Sequence, residues 1–135
     1  MPGRFEGLEV FLEEINHANI GHIVCLVSDA EIASKSPEYL AAIQKEKIPA
    51  KLWRHDIHDY GTPDDLNALD HLLDLIRARM DEGESVVVHC AAGYGRTGLV
   101  AIRLLIRMGI PRDEAAKIVG FAGSAPETKA QWNCL

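Results

Sequence analysis

An α/β fold, with a central mostly parallel sheet flanked by helices, is what the sequence predicts, on three observations. Short apolar runs rich in β-branched residues, at His22–Val27, Lys51–Ile57 and Val86–Val88, have the length and composition of buried strands. Amphipathic helical patterns alternate with them, giving the order strand, helix, strand, helix, strand, helix. A glycine-rich loop then joins the last strand to a strongly apolar helix. Such an order favours parallel pairing through right-handed crossovers.

Each element follows from local pattern. Phe5, Leu8, Phe11 or Leu12, and Ile15 recur at helical spacing, with Glu6, Glu9, Glu13 and Glu14 on the other faces as a solvated surface. His22–Val27 is the first strand, ending at Ser28-Asp29, and its Cys25 reads as a small core hydrophobe. Ser36-Pro37 is an N-cap followed by a first helical residue. Tyr39, Leu40 and Ile43 form the apolar side of that scaffold helix, and Lys45 to Lys47 close it before Pro49. Leu52, Trp53 and Ile57 mark the second strand, and His58 to Pro63 is a loop of turn residues. Asp64 and Asp65 open the next helix, where they favour its positive end. Leu66, Leu69, Leu72, Leu73, Ile76 and Met80 continue it to Glu82-Gly83. After the third strand and its loop, Leu99, Val100, Ile102, Leu104, Leu105 and Ile106 are apolar nearly all round, so this helix runs through the core until Gly109. Pro111 to Val119 is a short helix with Asp113 and Glu114 in its first turn.

A chain of 135 residues is expected to form one domain, 1–135, with a core that needs no disulfide or metal staples. Hydrophobic residues at 47% and charged ones at 25% are ordinary for a globular protein. Fourteen basic against twenty acidic residues give a net charge of −6, which argues against general binding to nucleic acid or an anionic membrane. Cys25, Cys90 and Cys134 have neither metal spacing nor the look of a disulfide framework, so a reducing compartment and a cytoplasmic location are expected. No apolar run approaches a membrane span, and Met-Pro-Gly-Arg-Phe-Glu lacks the regions of a secretion signal. A monomer is expected.

The chemistry concentrates in the loop after Val88. Cys90 is followed by five residues, Ala91, Ala92, Gly93, Tyr94 and Gly95, and then by Arg96 and Thr97. Glycines let backbone amides turn inward, and the following helix N-terminus adds partial positive charge, so the loop favours an anion of phosphate size. A guanidinium at the helix start grips two oxygens in a planar fork. The same field favours the thiolate of Cys90.

His89-Cys90, five residues and Arg96-Thr97-Gly98 resemble the signature loop of the cysteine-dependent protein phosphatases. The Ala-Ala-Gly-Tyr-Gly filling is similar to that of the compact dual-specificity members. The resemblance implies a phosphatase in which Cys90 attacks phosphorus while Arg96 and the amides of Ala91 to Arg96 hold the phosphoryl oxygens. It implies that the Thr97 hydroxyl stabilises the departing thiolate and that His89 is an orienting hydrogen-bond partner. No metal or cofactor is required. The family also usually carries a strand and a substrate-side segment before the first helix found here, which leaves Arg4 near the pocket mouth.

Departure of an alkoxide or phenoxide needs an acid, and a carboxyl group on a loop at the carboxyl edge of the sheet supplies one. The family's acid often reads Pro-Asp-aromatic. Asp59-Tyr60 matches that place, with His58 where proline is usual and Asp56 as the nearest rival. The cluster His55, Asp56, His58 and Asp59 is rejected as a metal site, because the nucleophilic mechanism needs none and no further ligand cluster occurs. Ser124 to Trp132 resembles the family's late segment, which makes Thr128 and Gln131 candidates, Gln131 for orienting water. The alternative there is a capped terminal helix with exposed polar residues.

The expected substrate is a phosphorylated protein, with phosphotyrosine first and phosphoserine or phosphothreonine beside it. Inositol-lipid members usually place lysine in the loop, where this chain has Ala92 and Tyr94. A small phosphorylated metabolite, an inositol lipid or an RNA 5′ end is the alternative within the class. A non-catalytic phosphoresidue-binding module would need no nucleophile, and a rhodanese-like sulfur carrier would have no use for Asp59 and Thr97.

Overall fold

The computed structural model describes residues 1–135. Its elements run α1 Leu8–His17, β1 Ile20–Cys25, α2 Asp29–Lys35, α3 Pro37–Gln44, β2 Lys51–Arg54, α4 Leu66–Asp81, β3 Ser85–His89, α5 Gly95–Arg107, α6 Arg112–Phe121 and α7 Lys129–Asn133. The three strands form one parallel sheet in the order β2-β1-β3, with Val24 opposite both Trp53 and Val88. This is the α/β arrangement expected from the alternating pattern.

Side chains of β1 and its continuation alternate between two cores, as strand geometry dictates. Val24 and Leu26 pack with Leu69, Leu72, Leu73 and Ile76 of α4 and Val100 of α5. Cys25 and Val27 face Leu8, Ile32 and Tyr39 on the other side. Burial also raises the Cys25 thiol pKa, which keeps this sulfur protonated and inert. A third cluster, Ile102 with Ala115 and Val119, seats α6 on α5. Arg103 of α5 grips Asp70 of α4 through a two-point contact of 2.6 and 2.9 Å, fixing the helix that follows the glycine-rich loop. No helix is long and apolar enough to cross a membrane.

Several boundaries differ from the sequence reading. Phe5 lies before α1 and is 73% exposed, with the Arg4 guanidinium over its ring. Strand β1 begins at Ile20 and ends at Cys25, and β2 stops at Arg54. The backbone stays paired past both ends, since the Leu26 amide donates to His89 O and the Ile57 amide donates to Leu26 O. Helix α2 has no counterpart in the sequence reading. Its signal is Ser28-Asp29-Ala30-Glu31, a capping pattern in which the Ser28 hydroxyl accepts from the Glu31 amide at 3.3 Å. Asp65 caps α4 by accepting from the amides of Asn67 and Ala68.

Candidate active site

Three chain segments leave the carboxyl edge of the sheet: Leu26 to Ser28 leading into α2, the loop after β2, and residues 90–94 between β3 and α5. Helix α5 begins at Gly95, one turn earlier than the apolar pattern indicates, so Arg96 and Thr97 sit in its first turn. Gly93 turns the loop with φ +80°, a left-handed conformation that a side chain would strain. Its amide then donates to Cys90 Sγ at 3.2 Å. The Ser124 hydroxyl, from the segment after α6, reaches the carbonyl oxygens of Gly93 and Tyr94 at 3.1 and 2.7 Å and so occupies acceptors of the loop.

Cys90 is 3% exposed, and burial alone would raise its pKa. The Thr97 hydroxyl and the amides of Thr97, Gly93 and Ala92 outweigh burial, and the thiol pKa lies below its ordinary value. The Thr97 hydroxyl is buried and makes no fully formed hydrogen bond, yet it faces the sulfur closely enough to act on it as a donor. Behind the loop, His89 Nδ1 lies 3.1 Å from Cys90 O and Nε2 lies 3.0 Å from the Tyr39 hydroxyl. A carbonyl only accepts, so Nδ1 carries the proton and Nε2 accepts from Tyr39. Burial holds the imidazole pKa down to about 4, and the ring is neutral at ordinary pH. His89 therefore ties the Cys90 carbonyl to the Tyr39 hydroxyl behind the loop.

Arg96 is 2% exposed and held on several sides. Nη1 donates to Glu31 Oε2 at 2.7 Å and to Ile57 O at 2.9 Å, while Nη2 donates to Glu31 Oε1 at 2.9 Å. Nη2 also lies 3.0 Å from Asp59 Oδ1. Lys35, one turn along α2, pairs with Glu31 at 2.5 Å and approaches Asp59 Oδ2 at 3.8 Å. The Arg96 hydrogen bonds, against the effect of burial and with help from Lys35, bring the Glu31 carboxyl pKa down to about 2. Glu31 thus stays ionised and fixes the guanidinium plane.

A cavity of about 120 Å³ opens over this assembly. Cys90, Ala91, Ala92, Gly95 and Arg96 line it from the loop, and Asp59 and Tyr60 line it from the segment after β2. Arg4 lies at this cavity, where the sequence reading put it. Tyr94 is instead 46% exposed at the start of α5. Asp56, the rival acid, lies 3.6 Å from Arg54 and lines a neighbouring cavity that Asp59 also borders, but not the one over Cys90. Glu31, Lys35, Glu127 and Ser124 were not anticipated as site residues, although the capping pattern at Ser28 could have drawn attention to Glu31.

Gln131 is where the structure departs from the sequence reading. Its side chain is fully buried and does not line the cavity. Its Oε1 accepts from the amides of Glu127 and Thr128, and its Nε2 donates to Gly61 O at 2.9 Å. Thr128 caps α7 in a reciprocal box with Gln131. Fully buried and outside the cavity lining, the Gln131 amide does not reach a water over the sulfur. The capped terminal helix of the alternative reading is present, but its Gln131 is buried rather than exposed.

Residues 1–110 match the family described as polymorphic toxin system, DSP-PTPase phosphatase. Among solved structures, kinase associated phosphatase (KAP), with its catalytic-site cysteine replaced by serine, superposes with a TM-score of 0.83 at 22% identity. That match covers 98% of this chain and 79% of KAP. Tk-PTP in its active form gives a TM-score of 0.76 at 29% identity over 93% of this chain and 82% of its own. PTPMT1 in complex with PI(5)P gives 0.75 at 16% identity over 93% of this chain and 80% of its own. At their level of identity, KAP and PTPMT1 speak for the fold alone.

Proposed function

The chain belongs to the polymorphic toxin system DSP-PTPase phosphatase family, and from that premise we propose that it hydrolyses phosphotyrosine, with phosphoserine and phosphothreonine beside it, through a phosphocysteine. The observation that carries this reading is a single cavity bringing together Cys90, the Arg96 guanidinium and the Asp59 carboxyl group. In the first step the Cys90 thiolate attacks phosphorus, the phosphorus–oxygen bond to the substrate breaks, and Asp59 gives its proton to the departing oxygen. Loop amides and Arg96 stabilise the charge on the equatorial oxygens. In the second step water attacks phosphorus, the phosphorus–sulfur bond breaks, Asp59 takes the proton of water, and Thr97 receives the thiolate.

The preference for a protein aryl phosphate is supported by Tyr60, 62% exposed and lining the cavity, which offers an aromatic wall to a phosphotyrosine ring. Glu127 and Asp59 stand on the cavity wall against Arg4 and Lys35, so the lining holds no surplus of positive charge beyond Arg96 for a second phosphate on the same substrate. The test is turnover of p-nitrophenyl phosphate, phosphotyrosine and phosphothreonine peptides, and a phosphoinositide. Cys90→Ser abolishes turnover of all of them if the reading is right. Residual turnover in that variant rejects the nucleophile, and a faster rate on the phosphoinositide rejects the protein substrate.

A further inference from the structure

We propose that Gln131 is a positioning residue for the general acid, holding the Asp59 turn from behind so that the carboxyl group meets the leaving oxygen. The inference rests on the reading of Asp59 as the acid and goes beyond it, because Gln131 touches neither the cavity nor the sulfur.

The turn is built to need an outside hold. The Gly61 amide closes it by donating to His58 O at 2.8 Å, and Tyr60 inside it has φ +57°, a left-handed conformation that a bulky residue adopts at a cost. Asp59 is one of the two residues this closure brackets. A side chain on Gly61 would press on His58 O at 3.1 Å, so the turn has little slack. Nothing in the segment from His55 to Asp65 is helix or strand, and Asp59 and Tyr60 are both exposed. Residues around such a turn sample many positions unless something buried holds them.

Gln131 supplies that hold. Its Oε1 accepts from Glu127 N at 2.7 Å and from Thr128 N at 3.3 Å, which fixes the amide orientation, since a flipped amide would set donors against donors. Nε2 is thereby directed to Gly61 O, the carbonyl two residues past Asp59. The hydroxyl of Thr128 pins the Gln131 backbone at 3.1 Å, and α7 packs against α5, the helix that carries Arg96. The acid turn is thus referenced to the helix that holds the phosphate-binding arginine. A buried amide with all its polar atoms satisfied holds such a position to within a fraction of an ångström, which is the tolerance of proton transfer.

The test is kcat/KM over a series running from p-nitrophenyl phosphate through phenyl phosphate to an alkyl phosphate, for wild type, Asp59→Asn, Gln131→Glu and Gln131→Met. Tungstate affinity by calorimetry reports the signature loop: damage to the loop lowers it, whereas displacing the Asp59 carboxylate from Arg96 can only raise it. Loss of the acid hurts more as the leaving group becomes more basic, by about 10² or more on phenyl phosphate for Asp59→Asn. Gln131→Glu keeps the acceptor for the two amides and sets an oxygen against Gly61 O. It is expected to lose about tenfold on phenyl phosphate and about twofold on p-nitrophenyl phosphate, with tungstate affinity kept or raised. A loss equal across the series, or none, overturns the proposal. If Asp59→Asn itself shows no steepening, the acid assignment fails first and takes the proposal with it. Should Gln131→Glu lose tungstate binding, the same series on Gln131→Met decides. Loss of tungstate binding in both variants overturns the proposal, because Gln131 would then support the signature loop rather than the acid.

Discussion

Asp59 Oδ1 lies 3.0 Å from Arg96 Nη2, on the guanidinium that lines the cavity over Cys90. Both donors of Nη1 and the second donor of Nη2 already go to Glu31 and Ile57 O, which leaves Nε as the remaining donor. A two-point grip on phosphate through the Nε–Nη2 edge therefore requires the Asp59 carboxylate to step aside, with Lys35 at 3.8 Å to receive it. On the proposed reading of the site, Asp59 and the substrate compete for one N–H.

From that competition, Asp59→Asn is expected to slow turnover and yet bind tungstate more tightly. With Asp59 52% exposed, the gain is about fivefold, corresponding to an ion pair worth about 1 kcal/mol. Glu127→Gln removes another carboxylate from the same cavity that has no contact with Arg96, and serves as the control. Calorimetric titration of both variants separates the two cases. Equal tightening in both would mean that general charge, not competition for Nη2, sets the affinity.

His89 makes stability depend on pH. Its folded pKa of about 4 lies below the ordinary imidazole value of about 6.5, so the unfolded chain takes up the proton first as pH falls. The stabilisation by the neutral ring is complete above pH of about 6.5 and is lost progressively as pH drops through about 4. The loss attributable to this residue is about 3 kcal/mol. Urea unfolding between pH 7 and 4 is expected to show that slope in the wild type. His89→Asn starts less stable at pH 7 and has a flatter profile; an unchanged slope would count against a buried neutral ring.

The parts of this protein that were legible in its sequence are those fixed by local pattern. Val86–Val88, the apolar β-rich run of β1 and the apolar helix after Gly98 each follow from local composition and spacing, and the glycine-rich stretch from Cys90 to Arg96 marks the loop between Val88 and that helix. Glu31 was not legible as a site residue, because its meeting with Arg96 depends on a sequence separation of 65 and on a short helix with little apolar signal. Phe5 failed as a helix residue because the pattern continues past the chain's own N-cap at Gly7. Gln131 was found by resemblance but given the wrong task. Its position in the motif says nothing about which carbonyl its amide reaches, and only the fold brings Gly61 to it.

Thr97 links the loop to the reactivity of its sulfur. Its hydroxyl and amide together are among the influences that hold the Cys90 thiol pKa down against burial. Thr97→Val keeps the shape and the amide but removes the hydroxyl, so the midpoint for alkylation by iodoacetate is expected to move upward from a wild-type value below the free-thiol value of about 8.5. Turnover falls by about tenfold or more, the size of one hydrogen bond to a charged sulfur. An unmoved midpoint would leave the amides as the whole source of activation.

Ser124 tests whether the loop's shape or merely its composition activates the thiol. Its hydroxyl touches the carbonyls of Gly93 and Tyr94, while the next residue, Ala125, lies so close to Gly98 that a Cβ there would sit 2.6 Å from Ala125 backbone atoms. The segment is therefore wedged against α5, and the hydroxyl acts from a fixed place. Removing it in Ser124→Ala leaves the Gly93 carbonyl without its partner, while Tyr94 O keeps the Gly98 amide, at a cost of about 1 kcal/mol or more in loop order. Gly93 then has less reason to aim its amide at the sulfur. Tungstate affinity is expected to fall about fivefold and the alkylation midpoint to rise, with the melting temperature changed by only a few degrees. A drop in stability with affinity and midpoint both unchanged would assign Ser124 to packing alone, and the amides of the loop would then hold their inward aim without help from outside it.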